Sequence, residues 1–289
     1  MAKKFILNAD NLGKDSAHNI GIVEGYQGGI LKSASITANG DAFDDAINSV
    51  IPACKDLSLG LHLNLTDGKP LCNDLTGLTD ENGNFKNSFL SLLIRAYNPK
   101  DKEFLSEIER EFRAQTEKVT SKIKITHIDS NCHIHAIPPI FKIVCKIAQD
   151  YDIKYIRTHY ERPYIVPDVF VHLSLIWLKN ICKAFLLNLF TIFNENTAAN
   201  YNLKTNDYII GIIYNSLMSS LVMSYGLPIS KYKNVTVEAV IEPCRYENGI
   251  IDSHFNEFMI TKNKKLKDKV EALGFEITGY EDEKPEEEK

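Results

Sequence analysis

The chain has 289 residues, 44% of them hydrophobic and 25% charged, an ordinary globular composition with enough apolar material for a large buried core. A net charge of -5 gives no broad attraction for nucleic acid or anionic lipid, so neither is an expected partner. Six scattered cysteines (Cys54, Cys72, Cys132, Cys145, Cys182, Cys244) form no CxxC pair, and the opening residues turn polar too soon for a secretory signal. The expectation is a cytoplasmic protein with free thiols that begins with its first strand.

Along the chain, short β-like runs alternate with longer helical ones. The strand candidates are residues 4–9, 34–39, 57–66, 123–129, 154–157, 208–212, 235–241 and 276–279. Helical patterns fall at 15–27, 41–54, near 85–97, 102–122, 138–151, 169–193, 215–225 and 256–273. Repeated strand then helix, with room to cross over each time, predicts parallel strands and an α/β fold. Seven or eight such units fit one (β/α) barrel, TIM-barrel-like, with room for a distorted or incomplete ring. A doubly wound open sheet is the competitor, but no GxGxxG or GxxxxGK[ST] loop supports a nucleotide site. This barrel domain is expected over 1–280, followed by an acidic, disordered tail at 281–289.

The apolar stretch 169–193 is long enough for a membrane span, yet His172, Lys179, Asn180, Lys183 and Asn188 interrupt it. A long helix packed on the body or over a cleft is the expectation, and its amphipathic lean could serve a homodimer contact.

The densest polar segment is 127–135, His-Ile-Asp-Ser-Asn-Cys-His-Ile-His. Alternate residues of an extended chain share a face, so His127, Asp129, Asn131, His133 and His135 would project together if the strand ran on. Such a face can ligate a metal, relay protons or bind a polar ligand, and the plain alternative is a strand with its polar face in solvent. In the barrel reading, other polar residues gather at the same strand ends. They are Asp10 and Asn11 after the first strand, His62 on the third, Arg157, His159 and Glu161 after the fifth, and Glu242 after the seventh. Asp10 could equally cap the following helix, His62 could be a structural histidine, and Arg157 could form a plain ion pair, for instance with Glu161.

These stretches carry a resemblance. Residues 8–13 (Asn-Ala-Asp-Asn-Leu-Gly), 29–35 (Gly-Ile-Leu-Lys-Ser-Ala-Ser), 59–71 (Leu-Gly-Leu-His-Leu-Asn-Leu-Thr-Asp-Gly-Lys-Pro-Leu), 126–135, 156–157, 237–243 (Val-Glu-Ala-Val-Ile-Glu-Pro) and 273–280 run in the order seen in the YdjC-like (ChbG/HpnK) carbohydrate deacetylases. The chain resembles that family from end to end. The resemblance implies a metal-dependent hydrolase that removes acetyl groups from N-acetylated sugars. It also implies a metal at the positions of Asn11, His62 and Asn131, a general base at Asp10, and His127, Asp129, His133, His135 and Arg157 lining or bracing the site.

The departures fall on the chemistry. Where the family has aspartate and histidine ligands this chain has Asn11 and Asn131, and where the family has a histidine before proline it has Glu242. Asparagine offers a neutral amide oxygen, which magnesium accepts more readily than zinc, so a divalent metal is expected to be weakly held or absent. Three readings stay open on the sequence: a deacetylase with a remodelled site, a catalytically degenerate relative that binds a carbohydrate or protein partner, and changed chemistry built on Asp10 with Glu242 as a carboxylate pair.

Overall fold

The computed structural model describes residues 3–168, 172–227 and 234–280. The expected tail, 281–289, and the first residues of the apolar stretch, 169–171, lie outside them. Among the described residues there are eight parallel strands: β1 (Lys3–Leu12), β2 (Ser33–Ile36), β3 (Ser58–Leu63), β4 (His127–Ser130), β5 (Tyr155–Ile156), β6 (Tyr208–Ile210), β7 (Thr236–Ile241) and β8 (Phe275–Ile277). Seven follow one another in the order β5-β4-β3-β2-β1-β7-β6. The sheet curls into an incomplete, distorted barrel with helices around it. β2 pairs with Asn8–Leu12 of β1, while β8 takes the first residues of β1, Lys3–Phe5, and so does not stand between β5 and β6. That gap is spanned by single hydrogen bonds instead: Lys204 N to Lys154 O (2.9 Å), Ile156 N to Lys204 O (3.0 Å) and Ile209 N to Tyr160 O (3.0 Å).

The helices are α1 (Ser16–Gly28), α2 (Phe43–Asp45, Ala46–Val50 and Ile51–Ala53, the middle turn π-helical), α3 (Phe89–Ala96), α4 (Lys102–Thr120), α5 (Pro138–Asp150), α6 (Leu175–Asn200), α7 (Ser220–Gly226), α8 (Ser253–Thr261) and α9 (Lys264–Ala272). Their starts follow capping chemistry. Asp15 accepts from His18 N at 3.0 Å, Asp252 from Phe255 N at 2.8 Å and Asn263 from Leu266 N at 2.9 Å, and Pro138 opens α5. The Asn263 cap divides the expected helix 256–273 into α8 and α9. The long apolar stretch forms α6, which packs on α5 and buries Ala184, Leu187, Thr191, Asn194 and Ala198.

Strand periodicity explains how the barrel is filled. On β1, Phe5, Leu7 and Ala9 alternate with Asn8 and Asp10, and β1 is buried from Phe5 to Leu12 because both of its faces are covered. The same period of two aligns Ser33 and Ser35 on β2, Gly60 and His62 on β3, His127 and Asp129 on β4, and Glu238 on β7, with Arg157 just beyond β5. All are buried, and the polar side chains among them are joined by hydrogen bonds across the sheet. The barrel therefore encloses a polar network, while the apolar core lies between sheet and helices.

Gly60 is required by this packing: it pairs with His127 in register, and a β-carbon there would fall inside the His127 imidazole. Gly60→Ala is expected to lower stability by about 1–3 kcal/mol, the usual cost of overpacking, in a denaturant titration. A loss under about 0.5 kcal/mol would show that the ring has room to move.

Candidate active site

The centre of the network is the Arg157 guanidinium, completely buried. It donates from Nη1 and Nη2 to the two oxygens of Asp10 (2.9 and 2.8 Å) and from Nε to Glu238 Oε1 (2.9 Å), and its Nη2 lies 2.6 Å from Asp129 Oδ2. Arg157 thus pairs with Asp10, Asp129 and Glu238, not with Glu161. The Glu161 carboxylate is turned to the backbone N–H groups of Gly211, Ile212 and Ile213, at 2.7 to 3.0 Å.

His62 lies against this cluster. Its Nδ1 is 2.6 Å from Asp129 Oδ1 and 3.8 Å from Asp10 Oδ2. Burial alone would lower the His62 pKa, but Asp129 and Asp10 outweigh it and the net shift is upward. Burial raises the Asp10 carboxyl above its ordinary range in spite of Arg157. Burial also acts to raise Asp129, where Arg157 and His62 win and hold it below that range. Asn8 donates to Asp10 Oδ1 at 2.8 Å and accepts from Ser33 Oγ at 2.6 Å. Tyr280 donates its hydroxyl to Glu238 Oε2 (2.7 Å) and stacks on His127, with ring centroids 4.1 Å apart.

The segment 127–135 does not continue as a strand. β4 stops at Ser130, and Asn131–Ala136 turns into a 3₁₀ segment in which Cys132 and His133 take left-handed φ of 54° and 60°. The shared face of five polar residues is therefore broken. His127 and Asp129 point into the barrel, and Asn131 turns to the rim, where its Nδ2 donates to Thr66 Oγ1 at 2.9 Å. His135 braces the network from behind: its ring nitrogens contact Ser130 Oγ and, at 3.0 Å, the Arg157 carbonyl. Burial pushes His127 and His135 down to about 3, which keeps both neutral. His133 and His159 stack edge to face at 5.0 Å, and burial lowers both well below the ordinary imidazole range.

Above the network, at the C-terminal ends of β1 to β4, Asn11, Lys14, Thr37, Asn39, Asn64, Asp67 and Asn131 line a polar cleft of about 160 Å³. Asn11 takes a left-handed φ of 70° and donates from Nδ2 to Glu242 Oε2 at 2.8 Å. Glu242 is thus held by Asn11, not paired with Asp10. The Glu242 backbone N–H donates to Glu257, which burial raises to about 8.

Asp10, His62 and Asp129 bring potential ligand atoms within 4.8 Å of one another. Both carboxylates are already engaged by Arg157, so the donor left free is His62 Nε2, which is buried without a hydrogen-bond partner. With its proton displaced, an imidazole nitrogen with that freedom fits a divalent cation, and the amide oxygens of Asn11 and Asn131 are weaker donors of the kind magnesium accepts. Asn8, Glu238 and Tyr280 were not singled out from the sequence. Glu238 had left a signal there, as a charged residue between Val237 and Ala239 in an apolar strand.

The family model described as YdjC-like protein matches residues 4–272. A carbohydrate deacetylase of Brevibacillus brevis is 38% identical over 149 residues, 51% of this chain and 56% of that protein. One of Clostridium beijerinckii is 34% identical over 151 residues, 52% of this chain and 58% of that protein. The matched region thus spans somewhat over half the length of these relatives. Among solved structures, an Enterococcus faecalis protein provisionally described as a cellobiose-phosphate cleavage protein superposes with a TM-score of 0.73 at 21% identity, over 97% of this chain and 98% of that one; it shares the fold.

Removing the central cation strands three buried carboxylates, so Arg157→Met is expected to destabilise the protein by about 3–5 kcal/mol. A melting temperature within a few degrees of the wild type would show instead that the carboxylates neutralise at little cost. A second test uses pH. His127, near 3 when folded and about 6.5 when unfolded, contributes stability that is present above pH 6.5 and lost as pH falls toward 3. The destabilisation caused by His127→Gln should therefore shrink by about 1.4 kcal/mol between pH 7.5 and 5.5 in paired denaturant titrations. A difference independent of pH would mean that His127 has the same pKa folded as unfolded, and a destabilisation that grows toward pH 5.5 would mean that it is charged in the folded protein.

Proposed function

Because this chain belongs to the YdjC-like protein family, we propose that it acts as a carbohydrate deacetylase, hydrolysing the N-acetyl amide of an amino sugar or chitooligosaccharide through a remodelled site. The observation that carries the reading is Asp10. It is a buried carboxylate with a raised pKa, fixed by Arg157 and Asn8, and its chain neighbour Asn11 lines the polar cleft at the strand ends. A raised pKa makes Asp10 a better proton acceptor from an attacking water, and its two hydrogen-bonded oxygens hold it in one orientation.

His62 Nε2 would be the nitrogen donor for a divalent ion, magnesium or zinc, and the amide oxygens of Asn11 and Asn131 would be further donors. When bound it supplies Lewis acidity toward the acetyl carbonyl and lowers the pKa of water. Asp129 orients His62 through Nδ1 and so leaves Nε2 to the cation. Arg157 holds the carboxylates in place, His135 braces the Arg157 backbone carbonyl, His127 contacts Asn8 Oδ1, and His133 stacks on His159. Glu242, hydrogen-bonded to Asn11 at the cleft, is the group available to protonate the leaving amine.

The Asn11–Glu242 hydrogen bond also supports the second reading, a relative that binds a carbohydrate without turning it over. The carboxylate absent at position 11 returns at 242, but as the partner of an amide rather than as a free ligand.

Acetate release from N-acetylated chitooligosaccharides is expected to be at least about a hundredfold slower than in a relative with aspartate and histidine ligands, the low end of acid–base contributions. The triple substitution Asn11→Asp, Asn131→His and Glu242→His should raise both the rate and the affinity for divalent metal, followed by acetate assay and by metal titration. Wild-type turnover equal to that of such a relative, abolished by Asp10→Asn, would show a site that is rebuilt rather than weakened. Binding of the oligosaccharide with no acetate released, before or after the triple substitution, would favour the binding-only reading.

A further inference from the structure

Because the strands are parallel, their starts share one rim of the barrel, opposite the cleft. That rim is basic. Each of β1 to β6 has a lysine at its start or in the few residues before it: Lys4, Lys32, Lys55, Lys124, Lys154 and Lys204. Two carboxylates on the rim are already engaged, Asp152 by Lys154 and Asp207 by the Thr236 N–H at 2.7 Å. A chain with a net charge of -5 thus keeps one positive face. Under the gap between β5 and β6 the rim opens into a groove of about 460 Å³, whose walls include Lys4, Ile6, Tyr155, Lys204, Thr236 and Tyr280. Tyr280 closes the barrel from below. Its buried ring stacks on His127 and lies 5.2 Å from the Tyr155 ring, its hydroxyl donates to Glu238, and its carbonyl accepts from Ser58 Oγ at 2.7 Å. The chain therefore leaves Tyr280 between the start of β3 and the groove.

We propose that residues 281–289 dock on this lysine-bearing rim, along the groove under β4, β5 and β6, and cover the bottom of the barrel. Charge selects the occupant. The segment, Glu-Asp-Glu-Lys-Pro-Glu-Glu-Glu-Lys, carries six carboxylates against two lysines, and its composition alone would leave it solvated. Nine extended residues span up to about 30 Å, whereas the three strand spacings from β3 to β6 come to about 15 Å. The segment therefore reaches Lys124, Lys154 and Lys204. Tethering gives it an effective concentration of roughly millimolar order, which an outside polyanion would have to exceed. Each exposed lysine–carboxylate pair contributes little, so the docking rests on several acting together and is screened by salt. Its effect extends to the ion cluster. Tyr280 donates to Glu238, and Glu238 accepts from Arg157, so a docked segment holds in place the side chain that closes the network from below.

The test compares the full chain with one that stops at Tyr280. Brief carbodiimide treatment, which joins a carboxylate to an amine in contact with it, should link the 281–289 carboxylates to Lys4, Lys124 and Lys204 within one chain, as read by digestion and mass spectrometry. Salt at about 1 M, where charges are screened beyond about 3 Å, should remove most of these links. Removing 281–289 should lower the melting temperature by about 2–4 °C at low ionic strength and by less than about 1 °C in high salt. In a Lys124→Ser, Lys204→Ser background the same truncation should cost less than about half as much, since the pairs it breaks are already missing. Links spread evenly to lysines of other faces, such as Lys14 and Lys179, would overturn the proposal. So would a truncation effect that is equal at both salt concentrations or untouched by the two serines. Equal retention of the full and truncated chains on immobilised heparin at low salt would also overturn it, by marking the face as open to an outside polyanion.

Discussion

Everything in this barrel is arranged around the cost of burying one guanidinium. A cation removed from water must be surrounded by negative charge and hydrogen-bond acceptors, and Arg157 obtains both from Asp10, Asp129 and Glu238. Those carboxylates come from β1, β4 and β7, so the ion cluster ties together strands from both sides of the barrel seam. The planar fork of arginine suits it to this role, since it reaches Asp10 with two parallel bonds while a third donor turns to Glu238. Three carboxylates exceed one guanidinium in charge, and the excess is met by the raised pKa values of His62, Asp10 and Glu238.

This arrangement separates the interior into two levels. Below, Asn8, His127, Glu238 and Tyr280 form a closed set in which each polar atom has a structural task, and burial keeps His127 neutral. Above, around the cleft, stand Asn11, Asn131 and Glu242. Two of them satisfy each other: the amide at position 11 is the hydrogen-bond donor to the carboxylate at position 242. The lower level holds the buried carboxylates, and at the upper one the amides of Asn11 and Asn131 bind neighbours. Between the levels stands His62, tied to Asp129 by one nitrogen and free at the other.

Helix α6 connects this interior to the surface. Its Thr191 hydroxyl accepts the His159 backbone N–H, Asn188 exchanges hydrogen bonds with the Glu161 backbone, and Asn194 donates to the Ala136 carbonyl. The polar inner edge of the helix therefore supports the segments that follow β4 and β5. These are the segments that carry His133, His135 and Arg157.

The alternation of strand and helix determined the fold class, because a period of two followed by one of 3.6 leaves few ways to bury both kinds of face, and each expected strand lies within a few residues of an observed one. The residue types at strand ends also identified Asp10, His62, Asp129 and Arg157, since polar side chains in otherwise apolar strands must meet partners inside. What the sequence did not determine was which partners. Arg157 chooses Asp10, Asp129 and Glu238 because the curvature of the sheet brings β1, β4 and β7 to the same point, a distance that no local pattern contains. The break after Ser130 was hidden for a similar reason. Alternation in 127–135 suits a strand, but β4 has a partner in β5 only through Ile128, and beyond it the hydrogen bonds of Ser130 with His135 favour the turn. Tertiary structure likewise decided that Glu242 would face Asn11 and that the apolar side of α6 would remain open to solvent.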